Sequence, residues 1–441
     1  MNTGILSRGK QIGPASAAGL VVASMIGSGV FVTSGFMAKD LSPAAILAGW
    51  LFGGVLAASG ALCYAAVAAR IPRSGGEYRY LHDVYHPYAG YLAGWTSIVF
   101  GFAGPIAMAA MAAGAYADVL LWKGAALPIA VALVLGLGAV QATGMRLGAP
   151  VQNFGVLLKI ATILVFLAGA LFSGAMEPQR ALPDAQTARS LASLPFAVGQ
   201  IYIGFAFAGW SAAVYLASEV KDAARNVPRA MLWGCGLVTV VYLLLNYVFV
   251  SALTPAELAE VAGSQDRSLT LGHLVAMRML GETGGRLASL MVLLVQVSAV
   301  CAFSMTGPRV CDAMARDGFL PGWARWREGR LAGLGPVGLV TGLAALLLLS
   351  NTYETLLNAV GVTLAIFGAM SATAVVKLYG RDLPKHLWAA LIVFVGGVAW
   401  SVAGSLYAYP QTALWALVTL GVASGFYLVA RRRAREGLSP G

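Results

Sequence analysis

The chain has 441 residues, of which 59% are hydrophobic and only 11% charged, against about 25% charged in an average soluble protein. That leaves too little polar surface to hold a folded chain of this size in water, so the two or three soluble domains suggested by length are excluded. The net charge of +11 would suit a nucleic-acid surface, but the basic residues are spread over many short loops and form no single patch.

The apolar residues come in runs of spanning length, about 20 residues each. They are continuous and rich in Ala, Leu and Gly, without the period-two alternation of barrel strands. An all-α membrane protein is therefore predicted, with twelve transmembrane helices near 14–38, 43–69, 88–121, 126–142, 150–173, 195–218, 230–253, 286–314, 335–350, 354–376, 387–407 and 412–430. With the N-terminus inside, twenty-one Lys and Arg residues fall on the cytoplasmic side and seven on the other. This bias places both termini in the cytoplasm and the chain in the cell's inner (plasma) membrane. No cleavable signal peptide is expected, because the first apolar run is too long.

In chain order, the first span carries Ser24-Met-Ile-Gly-Ser-Gly-Val-Phe31. Glycine inside a helix costs about 1 kcal/mol relative to alanine, and two with a serine invite local unwinding. Unwound backbone is tolerated at membrane depth only where it lines a cavity or is buried in protein. Close helix packing is the competing reading of Gly27-Ser28-Gly29. The fifth span holds Lys159, the one basic residue left over from that two-sided count; a mid-membrane charge is expensive and points to function. The sixth span repeats the anomaly of the first in Phe205-Ala-Phe-Ala-Gly-Trp-Ser211. Breaks at matching positions of two halves are the best sequence pointer to a transport site. Spans one and six each begin a five-helix unit, and an odd number of helices gives the two units opposite topology. The predicted division is thus 12–173, 195–376 and a peripheral pair at 387–430. Cys63, Cys235, Cys301 and Cys311 all fall within spans without metal-ligand spacing, so neither a metal site nor a covalent accessory subunit is expected.

Four further stretches, taken in order, carry a resemblance. They are Ile26-Gly-Ser-Gly-Val-Phe31; Pro72-Arg-Ser-Gly-Gly-Glu-Tyr78; Gly209-Trp210 followed by Ser218-Glu-Val-Lys-Asp-Ala-Ala-Arg-Asn-Val-Pro-Arg229; and Gly307-Pro-Arg-Val310 with Ala313-Met-Ala-Arg-Asp-Gly-Phe-Leu-Pro321. Over residues 12 to 430 the chain resembles the amino acid–polyamine–organocation superfamily, and most of all its L-type-like bacterial permeases. One departure is Ser218-Glu219, where many relatives have two glutamates. The resemblance implies a leucine-transporter-type fold, with inverted five-helix repeats, helices one and six unwound, and two peripheral helices. It also implies a substrate carboxylate at the first break and a substrate amine at the sixth.

The chemistry of the residues leads to the same place. An unwound segment frees N–H groups at a helix N-terminus of partial positive charge. Ile26, Gly27, Ser28 and Gly29 are therefore the expected donors to a carboxylate. Carbonyls of Phe205, Ala206 and Ala208 are the expected acceptors of an ammonium, with Met25, Phe205, Phe207, Trp210 and Gly104 completing the pocket. No Asp or Glu is predicted mid-span in helices one, three, six, eight or ten, which favours a neutral α-amino acid. The resemblance implies that Lys159 stands where sodium-coupled relatives bind a cation. Its expected partners are carbonyls near Gly19 to Ala23, with Ser298 linking the eighth helix. Tyr202, Phe207 and Glu219 are candidate gate residues, Glu219 more as an ion-pair partner than as a ligand. The expected function is secondary active transport by alternating access, by sodium-independent exchange or proton-coupled uptake, with no cofactor. A polyamine or cationic amino acid antiporter is the nearest alternative and a channel the alternative of another class. An enzyme would need mid-span catalytic groups, and none is predicted.

Overall fold

The computed structural model describes residues 13–72, 75–143, 149–215, 217, 220–264, 270–326 and 333–435. Its helices, in chain order, are α1 (Pro14–Met25), α2 (Ser28–Met37), α3 (Pro43–Arg70), α4 (Gly76–Val84), α5 (Pro87–Thr96), α6 (Gly104–Leu120), α7 (Ala126–Ala142), α8 (Ala149–Phe172), α9 (Ala185–Leu191) and α10 (Leu194–Phe207). After these come α11 (Ala212–Tyr215), α12 (Ala223–Ala252), α13 (Pro255–Ala262), α14 (Leu271–Arg316), α15 (Leu334–Ser350), α16 (Tyr353–Ala372), α17 (Ala374–Tyr379), α18 (Lys385–Ala408) and α19 (Pro410–Arg435). Among the described residues, ten helical segments are long and apolar enough to cross a membrane. α7 and α15 are apolar but have 17 residues each, short of the usual span. Large apolar side chains cover the outside: Phe172 is 87% exposed and Trp233 76%. A rim of this kind belongs in lipid, and the chain is a multi-pass membrane protein.

The boundaries follow local chemistry. Ser42 caps α3 by accepting the Ala45 N–H, with Pro43 just inside, a position where the missing proline N–H costs nothing. The third apolar run, Pro87–Leu120, is continuous but contains a π-helical stretch at Ser97–Ala103. There the Gly104 N–H reaches back five residues to Val99 O, immediately before Pro105, which has no N–H to offer. The eighth span follows Gly281 (φ 70, ψ −175), whose non-helical backbone separates it from a short helix that begins at Leu271, in keeping with the start expected near residue 286.

The first and sixth spans are both interrupted, in different ways. Between α1 and α2 the chain is extended at Ile26 (φ −72, ψ 101) and Gly27 (φ −141, ψ −151). Between α10 and α11 it does not unwind. Residues Ala208–Ser211 tighten into a 3-10 turn, with Phe207 (φ −88, ψ −9) and Ala208 (φ −56, ψ −21) still near helical values. The expectation of two unwound helices is thus corrected for the sixth, where i→i+3 bonding keeps the backbone paired.

The two interruptions touch. A Cβ on Gly29 would lie 2.7 Å from Ala206 Cβ, and one on Gly209 would lie 2.3 Å from the Ser24 carbonyl carbon. Gly27 differs: a Cβ there meets only Met25 O, at 4.0 Å. Gly29 and Gly209 are therefore contact glycines, while Gly27 faces open space. Gly209→Ala is expected to lower the thermal unfolding midpoint in detergent, an overpacking cost of about 1–3 kcal/mol. Gly27→Ala is expected to leave that midpoint in place.

Candidate functional site

A cavity of about 270 Å³ lies where α1, α2 and the α10–α11 turn meet. Ile26, Gly27, Ser28 and Gly29 line it, together with Phe205 to Ala212, Lys159 from α8, and Gly101 from the π-helical stretch. Gly104, the expected contribution of that span, is turned away: a Cβ there would lie 2.6 Å from Val360 Cγ2. The extra residue in the π turn brings Gly101 to the cavity in its place.

At the first break the Ile26 N–H is already bonded to Val22 O at 3.1 Å. Ile26 therefore lines the cavity without being a donor, contrary to the sequence reading. The opening N–H groups of α2, from Ser28 onward, have no preceding helical turn to bond to, and they carry the positive end of the helix dipole. Gly27 leaves the space in front of them uncluttered, and the electrostatics of such a helix start favour an anion.

Two carbonyls on the other side of the break, Ala23 O and Met25 O, have side-chain partners. Lys159 Nζ donates to Ala23 O at 2.7 Å, and the lysine is 6% exposed. An ammonium thus sits at the negative end of α1, where a cation is favoured. Ser298 is not its partner. A Cβ on Gly155 would lie 1.9 Å from Ser298 Oγ, so Ser298 meets α8 one turn before Lys159. Tyr242, on α12, has its hydroxyl 2.6 Å from Met25 O and 3.0 Å from Ala206 O. One phenol thereby bridges both interruptions. It is held in turn by buried groups: Asn246 Nδ2 donates to Tyr242 O at 2.8 Å, Ser34 Oγ donates to Asn246 Oδ1 at 2.5 Å, and Trp50 Nε1 donates to Ser34 Oγ at 2.8 Å.

This changes the acceptor side. Phe205 O takes the Ala208 N–H and Ala206 O takes Tyr242, so two of the three carbonyls assigned to an ammonium are already engaged. Each keeps a second lone pair, and Ala208 at the cavity wall is the third.

The expected gate residues separate. Phe207 is fully buried against Trp50 and Tyr242, with ring centroids 6.1 and 5.0 Å away, and braces the cavity from behind. Tyr202 is beyond the cavity, its hydroxyl 3.3 Å from Glu354 Oε1 and 3.4 Å from Tyr409 Oη. There it borders a second space of about 250 Å³ with Lys39 and Asp40. Phe36 and Tyr353, stacked at 5.8 Å, stand beside Tyr202. Trp210 packs edge-on to Tyr64 at 4.6 Å. Glu219 lies outside the described residues.

One acidic group enters the main cavity unforeseen. Gly75 (φ 129) and Gly76 (φ 55) take backbone angles that favour glycine. They open α4 so that Glu77, 9% exposed, lines the cavity and accepts a hydrogen bond from Tyr64 Oη at 2.8 Å. Burial pushes its carboxyl up to about 7, against the pull of the Tyr64 hydrogen bond. The signal was present in Gly75-Gly76-Glu77, but a polar loop does not announce that it folds inward.

Residues 12–428 match the family model described as amino acid permease. The large neutral amino acids transporter small subunit 2 of Homo sapiens is 30% identical over 416 residues, which cover 87% of this chain and 75% of the relative. The serine/threonine exchanger SteT of Bacillus subtilis (strain 168) is 30% identical over 322 residues, 71% of this chain and 69% of the relative. The b(0,+)-type amino acid transporter 1 of Mus musculus is 31% identical over 277 residues, 60% of this chain and 55% of the relative. These relatives are named as transporters and not as enzymes.

Tyr242→Phe removes the donor shared by the two interruptions and leaves buried carbonyls unpaired. The expected result is a loss of about 1–3 kcal/mol, measured as a lower unfolding midpoint in detergent.

Proposed function

The chain belongs to the amino acid permease family, and from that premise we propose that it is a secondary active transporter of neutral α-amino acids. The observation that carries this reading is the contact between two interrupted helices across one cavity. The α2 N-terminus offers donors there at Gly27, Ser28 and Gly29. Carbonyls at the α10–α11 turn, Ala208 above all, accept the ammonium. A zwitterion has its two charged groups close together and needs no buried counter-charge to neutralise it. The names of the relatives support amino acids as the substrate class, and the first named above supports a neutral side chain.

The architecture we propose has twelve spans, with α7 and α15 as the two short ones. Residues 12–173 and 195–376 form inverted repeats, and 387–430 form the peripheral pair. The excess of basic residues at one end of the spans supports cytoplasmic termini and residence in the cell's inner (plasma) membrane. The first relative above is named as a small subunit. In this chain all four cysteines are buried, which supports assembly without a disulfide-linked partner.

Lys159 fills the negative end of α1 with its own ammonium, the position a free cation would otherwise take. Transport is therefore sodium-independent, running as exchange or with a proton, by alternating access around the fixed site.

In proteoliposomes, competition by all the amino acids and by amines, with and without internal counter-substrate and a pH gradient, reads class and coupling together. Inhibition by neutral amino acids is expected to persist when choline replaces sodium. Inhibition by amines lacking a carboxylate, with none by amino acids, overturns the proposal. Lys159→Met is expected to abolish uptake; normal uptake by that variant at normal expression removes the role given to the lysine.

A further inference from the structure

The acidic side chain in the main cavity has no part in holding a zwitterion, and its neighbours point elsewhere. Glu77 accepts from Tyr64 Oη at 2.8 Å, and the Tyr64 ring packs edge-on to Trp210 at 4.6 Å. Trp210 belongs to the 3-10 turn that interrupts the sixth span. Three side chains thus connect a cavity carboxyl on α4 to the interruption itself. We propose that Glu77 is the proton-binding group that couples pH to opening of the cavity on the α4 side, acting through Tyr64 on Trp210. This rests on the transporter reading above, and deepens it by naming the co-transported or regulating ion as a proton.

Among the described residues, the charged groups around Glu77 are engaged with other partners. On α3, Tyr64 faces it, while Arg70 is turned onto the Tyr379 ring at 4.3 Å. On its own helix Arg79 pairs with Asp317 at 3.8 Å and Asp83 at 3.9 Å, and His82 bonds Asp83. Tyr78 donates to Asp317. α5 brings no charged residue, although His86 caps its start and bonds the Tyr88 N–H. α17 brings Lys377, which sits over Tyr85 at 4.1 Å. α16 has Glu354 in its first turn, beside Tyr202 and Tyr409. Across the cavity Lys159 is bonded to Ala23 O.

The sign follows from burial. A carboxyl in water ionises near 4.5, whereas burial in the arrangement described here holds this one up at about 7. Closing the α4 side therefore takes up a proton at intermediate pH. Below about 4.5 closure carries no penalty from this group. Between there and about 7 the closing equilibrium weakens by up to about tenfold per pH unit, and above that the penalty is complete. When the side opens, water reaches the carboxyl, the proton leaves, and Tyr64 bonds a hydrated carboxylate.

The test is exchange of labelled leucine and of labelled serine in proteoliposomes, with the pH on the α4 side varied from 5.5 to 8. Wild-type rates are expected to change at least severalfold, and Glu77→Gln is expected to exchange at a rate that no longer varies with pH. Tyr64→Phe keeps the carboxyl but removes a donor to its charged form, so its midpoint is expected to move to higher pH. A flat wild-type profile, an unchanged profile in Glu77→Gln, or an unmoved midpoint in Tyr64→Phe overturns the proposal. A substrate-free readout separates this from failure of the transporter reading. The tryptophan fluorescence difference between wild type and Trp210→Phe is expected to titrate in detergent, and to stop doing so when Glu77→Gln is added to both. If neither amino acid exchanges but this titration appears, the substrate assignment fails and the proton site stands; if the titration is absent, the proton site fails.

Discussion

Everything at the centre of this molecule depends on satisfying broken backbone away from water. A helix that stops mid-membrane leaves carbonyls at one end and N–H groups at the other, each costly to strand in an apolar medium. Here the two ends are treated differently. The carbonyl end of α1 is closed by the protein itself, with Lys159 on Ala23 and Tyr242 on Met25. The N–H end of α2 faces the cavity. That asymmetry leaves the electropositive half of the break facing the cavity, which is what the proposed carboxylate site rests on.

Glycine has two separate tasks along these segments. Gly29 and Gly209 are required by contact, since no side chain fits between the first and sixth spans at those points. Gly27 is required by neither packing nor a positive φ, and its place at the cavity edge lets a ligand reach the backbone. Both readings of Gly27-Ser28-Gly29 open at the sequence level are therefore true, of different residues two positions apart. The sixth span keeps its backbone paired in a 3-10 turn, so its contribution is smaller: second lone pairs and one free edge.

Much of this was legible in the sequence. Long apolar runs, the two glycine-rich anomalies and a lone mid-span lysine are local signals, and each marks something real in the structure. The lysine's partner was legible as well, because a cation near a helix C-terminus has few other places to bond. What escaped depends on tertiary placement. Tyr242 is an ordinary aromatic in an apolar run until α12 sets it across both interruptions. Glu77 reads as a solvated loop residue until two positive-φ glycines fold α4 inward. Gly101 replaces Gly104 because a π turn shifts the register of one helix, and Ser298 misses Lys159 by a single turn of α8. Periodicity counts residues along one helix; it does not fix how two helices slide past each other.

The two short helices have a consequence for the solvent as well as for the fold. α7 and α15 lie side by side, with Gly138 pressed against Thr341, and each has 17 residues, about 25 Å of helix at 1.5 Å per residue. Leu127, Leu135, Leu346 and Leu349 are exposed on them. On the twelve-span architecture proposed above, a hydrocarbon layer about 30 Å thick meets a lower wall on this flank than elsewhere. The acyl chains there then shorten or tilt to follow it, at a cost of fractions of a kcal/mol per ångström. That architecture thus carries a thin sector on its perimeter. On that architecture bilayer thickness, a property of the surrounding lipid and not of any ligand, acts on the helix pair that flanks α6 and α14.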